Sequence, residues 1–230
     1  DYFTTLAFVT FNDAGDRSFS FARKPGADTQ LCWEEVDQSL IDEARVFHFG
    51  TLSLTDEPAR TATRKAASYA KQTGKLISCD PNLRVPLWRS KEEAREQMLW
   101  SLQQADVVKI SANEVSFLWA CSPEEGAEKL LREFDVKLAM VTLGAEGCLY
   151  MDDTGTVLRR KLRPAKMVNA SGAGDSFAAA MLYATLHGFG VEKTLDYAMA
   201  AGIAAVSHER TINPNMSTAL LEEILLAHRI

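Results

Sequence analysis

No run of eighteen or more apolar residues occurs in this 230-residue chain, so no membrane-spanning helix is expected. Blocks of like charge are missing too. The 25 basic and 31 acidic residues are interspersed to a net −6, which argues against nucleic acid or an anionic membrane as the partner but not against a local pocket for a small anion. Cysteines number only four, Cys32, Cys79, Cys121 and Cys148, with no CxxC pair. That scatter excludes a zinc knuckle or disulfide frame and reads as buried thiols in a reducing compartment. A basic-then-apolar leader is lacking, which makes a cytoplasmic protein the expectation. The histidines stand singly, and His208-Glu209 has no second histidine beside it, so no His- or Cys-built metal site is expected. His48, between Phe47 and Phe49, reads as a core or pocket-edge residue.

What is present is the composition of a soluble globular domain, 47% apolar and 24% charged, in a chain long enough for one substantial core. Residues 4–11 and 18–23 read as a β-hairpin around the turn NDAGD, with strict alternation in SFSF. Apolar strand-like runs then recur at 45–49, 76–79, 106–110 and 138–143, separated by helical patterns at 34–43, 56–73, 91–103 and 123–133. Such alternation predicts βαβ units and a mainly parallel sheet. A second hairpin at 147–163 turns at Asp153-Thr154-Gly155, and helices follow at 174–187, 191–208 and 217–228. The expected organisation is a β lid over residues 1–30 and an α/β core over 31–230.

In open α/β sheets, ligands collect outside the carboxyl ends of the strands. The residues at those positions are Asp80-Pro81-Asn82-Leu83-Arg84, Ser111-Ala112-Asn113-Glu114 and Gly144-Ala145-Glu146-Gly147. A fourth stretch, Gly172-Ala173-Gly174-Asp175, opens the helix at 174. It lacks the third glycine of a dinucleotide fingerprint and the GK[ST] of a Walker A loop. What remains is a set of backbone N–H groups at a helix N-terminus, a natural anion hole. Asp175 could be no more than a helix cap. A carboxylate inside an anion hole is better explained as a base that takes a proton from a hydroxyl attacking a bound phosphate. Each neighbouring motif also has an ordinary reading: a turn for Asp-Pro-Asn, a surface cation for Arg84, a helix cap for Asn113-Glu114 and a strand end for Thr142-Leu143-Gly144. Their convergence on one rim favours the functional one, with Asn82 and Arg84 facing sugar and phosphate and Glu114 beside a hydrated Mg²⁺.

Taken together, VNASGAGDSFAAAM, DPNLR, ISANE and VTLGAEG resemble the motifs of the ribokinase-like (PfkB) carbohydrate kinases, in that family's order. Within it, TTLAFVTF, RSFSFARKPGAD, FHFGTLSLTDEPAR and SCDPNLRVPLW look most like bacterial fructokinases. The resemblance implies a three-layer α/β/α sandwich with a small β lid, and ATP-dependent phosphorylation of a sugar hydroxyl. By position it implies Asp175 as base, with Gly172, Ala173 and Gly174 as the anion hole. It places Arg23, Asn82 and Arg84 at the sugar, Asn113, Thr142, Gly144 and Gly147 along the nucleotide, and Mg²⁺ near Glu114. The partners implied are sugar and ATP, with a homodimer through the lid. Fructose is the first acceptor, followed by pseudouridine, ribose or 2-keto-3-deoxygluconate.

Three departures stand out. The family's Asp-x-Thr is Asn169-Ala170-Ser171 here, leaving Asn169 where many relatives place an acidic ligand for a monovalent cation such as K⁺. Its N-x-x-E pattern ends in Ser116, and a common adenine-side Asn is Met199. These keep open a catalytically weak, ligand-binding regulator. Asn169 and TINPNMS look more like pseudouridine kinases of the same family. The abrupt opening near TTLAFVTF carries the expectation that a first βα unit, part of the lid and a Gly-Gly…Asn sugar motif lie upstream.

Overall fold

Four apolar runs pair side by side in parallel and in sequence order: β3 (Val46–Phe49), β4 (Leu76–Cys79), β5 (Val107–Ser111) and β6 (Leu138–Thr142). β7 (Cys148–Asp152) and β8 (Val157–Arg160) extend the sheet antiparallel. The computed structural model describes residues 2–11, 17–163 and 165–228, with backbone alone at 11 and 17–19. Apart from the sheet stands a two-stranded antiparallel ribbon of β1 (Leu6–Phe11) and β2 (Arg17–Ala22), in which Leu6 faces Ala22. Its proposed turn NDAGD lies outside the described residues. The described part of the ribbon keeps Leu6 and Phe8 half exposed.

Period-two alternation sorts the strand side chains into two cores. Val108, Ile110, Ala139, Val141 and Leu149 meet α2 (Ala59–Gln72), α3 (Lys91–Gln104), α4 (Ala112–Trp119) and α5 (Pro123–Glu133). Val107, Met140, Cys148 and Tyr150 meet α6 (Ala173–Leu186) and α7 (Val191–Val206) on the other face. α8 (Thr218–His228) packs behind α7 through Leu221 and Leu225. Helices on both faces of the sheet give the expected three-layer α/β/α architecture.

Local chemistry moved several boundaries. The helix expected at 34–43 divides into a 3₁₀ turn (Trp33–Glu35) and α1 (Gln38–Glu43), because Asp37 takes extended backbone and caps α1 by accepting from the Ser39 N–H at 3.0 Å. The sequence pattern predicts only a cap at Asn113, whereas the structure forms the helix α4 with Ser111 as its N-cap. The hairpin turn does form at 153–155, where the Asp152 carboxylate accepts from the N–H groups of Thr154 (3.0 Å) and Thr156 (3.1 Å). Two cysteines are buried, Cys79 and Cys148, whereas Cys32 and Cys121 are only half covered. Burial pushes the Cys148 thiol up to about 12, so it stays protonated.

Candidate active site

Parallel pairing brings the carboxyl ends of β3 to β6 to one rim, and the N-terminus of α6 lies over it. Gly172 is the N-cap of α6, in the left-handed region at φ 77°. A Cβ there would lie 2.3 Å from the Thr211 carbonyl oxygen, so glycine is required both by conformation and by space. Gly174 faces a side chain instead of backbone: an added Cβ would come within 2.9 Å of Nζ at the end of Lys109, which lies beneath the loop. The Ala173 N–H makes only a long 3.5 Å contact with the Ala170 carbonyl. The first-turn amides of a helix have no helical acceptor and are therefore available to an anion. Asp175 follows as the third helical residue. It is exposed, and its carboxylate makes no hydrogen bond among the described residues, so it is not serving as the cap.

DPNLR is fixed from two sides. Thr51 donates to the Pro81 carbonyl through its N–H (3.1 Å) and its hydroxyl (2.5 Å). Glu114, itself buried, accepts from the Leu83 N–H at 2.7 Å through Oε1, and from the N–H (2.8 Å) and hydroxyl (2.7 Å) of Ser111 through Oε2. One carboxylate thus closes the capping box of α4 and holds the loop after β4. Asn82 sits half-buried in the left-handed region at φ 51°. Arg84 Nη1 donates to the Leu83 carbonyl at 3.0 Å. Asp80 is 4% exposed and pairs with Lys109 at 2.9 Å. Burial, with help from the nearby Glu114 and Asp175 carboxylates, pushes the Asp80 carboxyl up to about 6 against the pull of Lys109.

Beside the loop opens a cavity of about 500 Å³. Thr142, Gly144 and Gly147 line one part of it and Ala173 and Gly174 another, while Leu162, Phe177, Met199, Ile203 and Val206 form an apolar wall. The expected residues Thr142, Gly144, Gly147, Ala173 and Gly174 therefore meet at one place, beside an apolar slot. Asn113 does not join them and is exposed on the first turn of α4.

Arg23 is a strut between the ribbon and the core. It is 7% exposed, and it donates to Asp28 Oδ2, Thr55 Oγ1 and the Leu52 carbonyl, each at 2.8 Å. Asn169 also bonds internally, donating to the Glu209 carbonyl and accepting from the Ser171 N–H, both at 2.9 Å. Sequence reasoning passed over Lys109 altogether. Its signal was present, a single lysine inside the apolar run DVVKI of a strand covered on both faces.

The chain matches the description "pfkB family carbohydrate kinase" over residues 3–219. A curated relative, fructokinase-1 of Zea mays, is 46% identical over 182 residues, covering 78% of this chain and 55% of the relative. The chain thus spans about half the length of the curated relatives it matches. A fructokinase variant from Vibrio cholerae O395, solved in fructose-, ADP- and potassium-bound form, superposes with a TM-score of 0.83 at 27% identity over 95% of this chain and 72% of that one. An E. coli protein assigned as a ribokinase II, in complex with ATP and Mg²⁺, gives a TM-score of 0.84 at 28% identity over 96% and 70%.

Proposed function

Because the chain belongs to the pfkB family of carbohydrate kinases, we propose that it carries the nucleotide and phosphoryl-transfer half of an ATP-dependent sugar kinase, with fructose as acceptor. The observation that carries this reading is Asp175, exposed and without a hydrogen-bond partner among the described residues, one step beyond the Gly172–Gly174 loop. A carboxylate there can take the proton of an attacking sugar hydroxyl while first-turn amides accept charge on the transferred phosphoryl group. The cavity supplies the rest of the nucleotide site. Thr142, Gly144 and Gly147 border the phosphates, and the Met199–Ile203–Val206 wall packs on the base. Fructose is chosen over other sugars on the likeness to plant and bacterial fructokinases.

Mg²⁺ fits this rim as a hydrated ion carried by the nucleotide. Among the described residues no three His, Cys, Asp or Glu side chains converge as a cage, and Mg²⁺ usually keeps waters and draws ligands from phosphates with one or two carboxylates. Glu114 is the carboxylate that would meet it through water, since among the described residues its Oε1 accepts only from the Leu83 N–H. When bound, the ion neutralises phosphate charge. Asn169 offers no comparable fit for K⁺, since both polar groups of its amide are engaged with Glu209 and Ser171. No monovalent-cation site is proposed there.

The test is ADP release from the full-length protein with MgATP and, in turn, fructose, ribose, 2-keto-3-deoxygluconate and pseudouridine. Asp175→Asn should keep the fold and ATP binding while lowering kcat by about 10²–10⁴-fold, the usual loss for a general base. Unchanged turnover would refute the assignment. Saturable sugar binding with no ADP formed by the wild type would point instead to a regulator.

A further inference from the structure

A buried charge pair lies beneath the anion loop, and no step above uses it. On β5, alternation turns Val107 and Lys109 toward the α6–α7 layer while Val108 and Ile110 face the other core. Lys109 is 7% exposed there and donates to Asp80 Oδ2 at 2.9 Å, whereas Asp80 Oδ1 has no partner among the described residues. The ammonium lies 2.9 Å from where a Cβ on Gly174 would sit, directly under the first turn of α6.

As a stability device this arrangement is poor. Burying two charges costs more than their attraction commonly returns, and an apolar pair of similar volume would serve the core as well. The location is also unfavourable for a cation, because the N-terminus of a helix is its positive end. Among the described residues Asp80 is the one ion-pair partner of Lys109, with the Glu114 and Asp175 carboxylates standing farther off. A buried ammonium at that end therefore makes sense when further negative charge arrives above it.

We propose that Lys109 is a positioning residue of the phosphoryl-transfer site: its ammonium, anchored by Asp80, supports Gly174 from below and adds positive charge to the anion hole of α6. This rests on the kinase reading of the same site. Gly174 is then small to admit the ammonium from beneath, as well as to admit a ligand from above.

The experiment compares wild-type full-length protein with Lys109→Met, Lys109→Met/Asp80→Asn and Lys109→Gln. Its readouts are the thermal midpoint, kcat, KM for sugar, and pyrophosphate affinity by calorimetry. Lys109→Met should lose both stability and rate, since it leaves Asp80 buried without its cation. The double variant removes both charges, so its thermal midpoint should recover. Its kcat and pyrophosphate affinity should remain at least about tenfold below wild type, with sugar KM nearly unchanged, as expected where charge aimed at the transferring group is lost. Wild-type kcat and pyrophosphate affinity in that double variant would overturn the proposal and leave the pair merely structural. Should the double variant not fold, Lys109→Gln decides by the same two readouts, because it keeps a donor to Asp80 without the charge. If the wild type phosphorylates no sugar, the kinase reading fails, and the pyrophosphate arm still decides the role of Lys109.

Discussion

At the scale of single residues, Gly172 and Gly174 look alike in the sequence but answer to different constraints. Gly172 holds a left-handed conformation against the Thr211 carbonyl, and an added Cβ would meet backbone at 2.3 Å. Gly172→Ala therefore combines left-handed strain, about 1–2 kcal/mol for an ordinary residue, with a clash that only a shift of the loop relieves. Gly188 is the fitting comparison, at φ 67° but with nothing within 4 Å of its would-be Cβ. Thermal unfolding should show Gly172→Ala losing clearly more stability than Gly188→Ala, together with nucleotide binding. Equal losses for the two would mean that the Thr211 contact is not a constraint. GAGD was legible because helix-opening glycines beside an acid form a contiguous string. Lys109 was not, since its meaning depends on a helix that begins more than sixty residues later. The resemblance alone places Arg23 at the sugar, and its three acceptors, on Asp28, Thr55 and Leu52, come from segments that the fold brings near.

At the scale of elements, the rim is assembled by caps that also serve as ties between loops. Ser111 and Glu114 form a capping box that starts α4, and the second oxygen of Glu114 reaches across to the Leu83 N–H. The spacing of a capping box is readable in SANE, whereas the tie to the loop after β4 is a contact 31 residues apart and leaves no local pattern. For a related reason the sequence pattern does not mark α4 as a helix. Its 8 residues follow β5 without a break, so periodicity had too few turns to register. Glu114→Gln tests the tie. The amide can present an oxygen to Leu83 or to Ser111 but must turn its NH₂ toward the other donor. Losing hydrogen bonds to a charged acceptor costs about 2 kcal/mol, or roughly 4–8 °C in thermal midpoint for a domain of this size. KM for sugar should rise with it, because Asn82 and Arg84 ride on the released loop. A variant as stable as wild type would show that the Leu83 contact contributes nothing.

At the scale of the whole molecule, the fold gathers the carboxylates of Asp80, Glu114 and Asp175 near the buried ammonium of Lys109, with His48 two strands away on β3. The parallel order of β3 to β6, and hence the existence of a common rim, was readable from alternating strands and helices. The resulting crowding of carboxylates was not, since it depends on which face each side chain takes. That crowding has a consequence for stability against pH. Asp80 holds its proton up to about 6 in the folded protein because of burial and the two nearby carboxylates, whereas in an unfolded chain an aspartate titrates near about 4. Between those values the folded state binds more protons than the unfolded one, so the contribution of Asp80 falls as pH rises through that window and is level above it. Asp152 runs the opposite way. Although burial pushes its carboxyl up, hydrogen bonds from Thr154, Tyr150 and Thr156 hold it below the ordinary value, and its contribution is lost on acidification. Wild-type curves alone mix these terms, but the difference between Asp80→Asn and wild type isolates one of them. Measured by thermal midpoint from about pH 4 to 7, that difference should move in favour of Asp80→Asn as pH rises and then plateau above about pH 6.5. A difference curve that stays flat across the range would mean that Asp80 ionises alike in the folded and unfolded chain, and that the carboxylates above Lys109 do not act on one another as the fold arranges them.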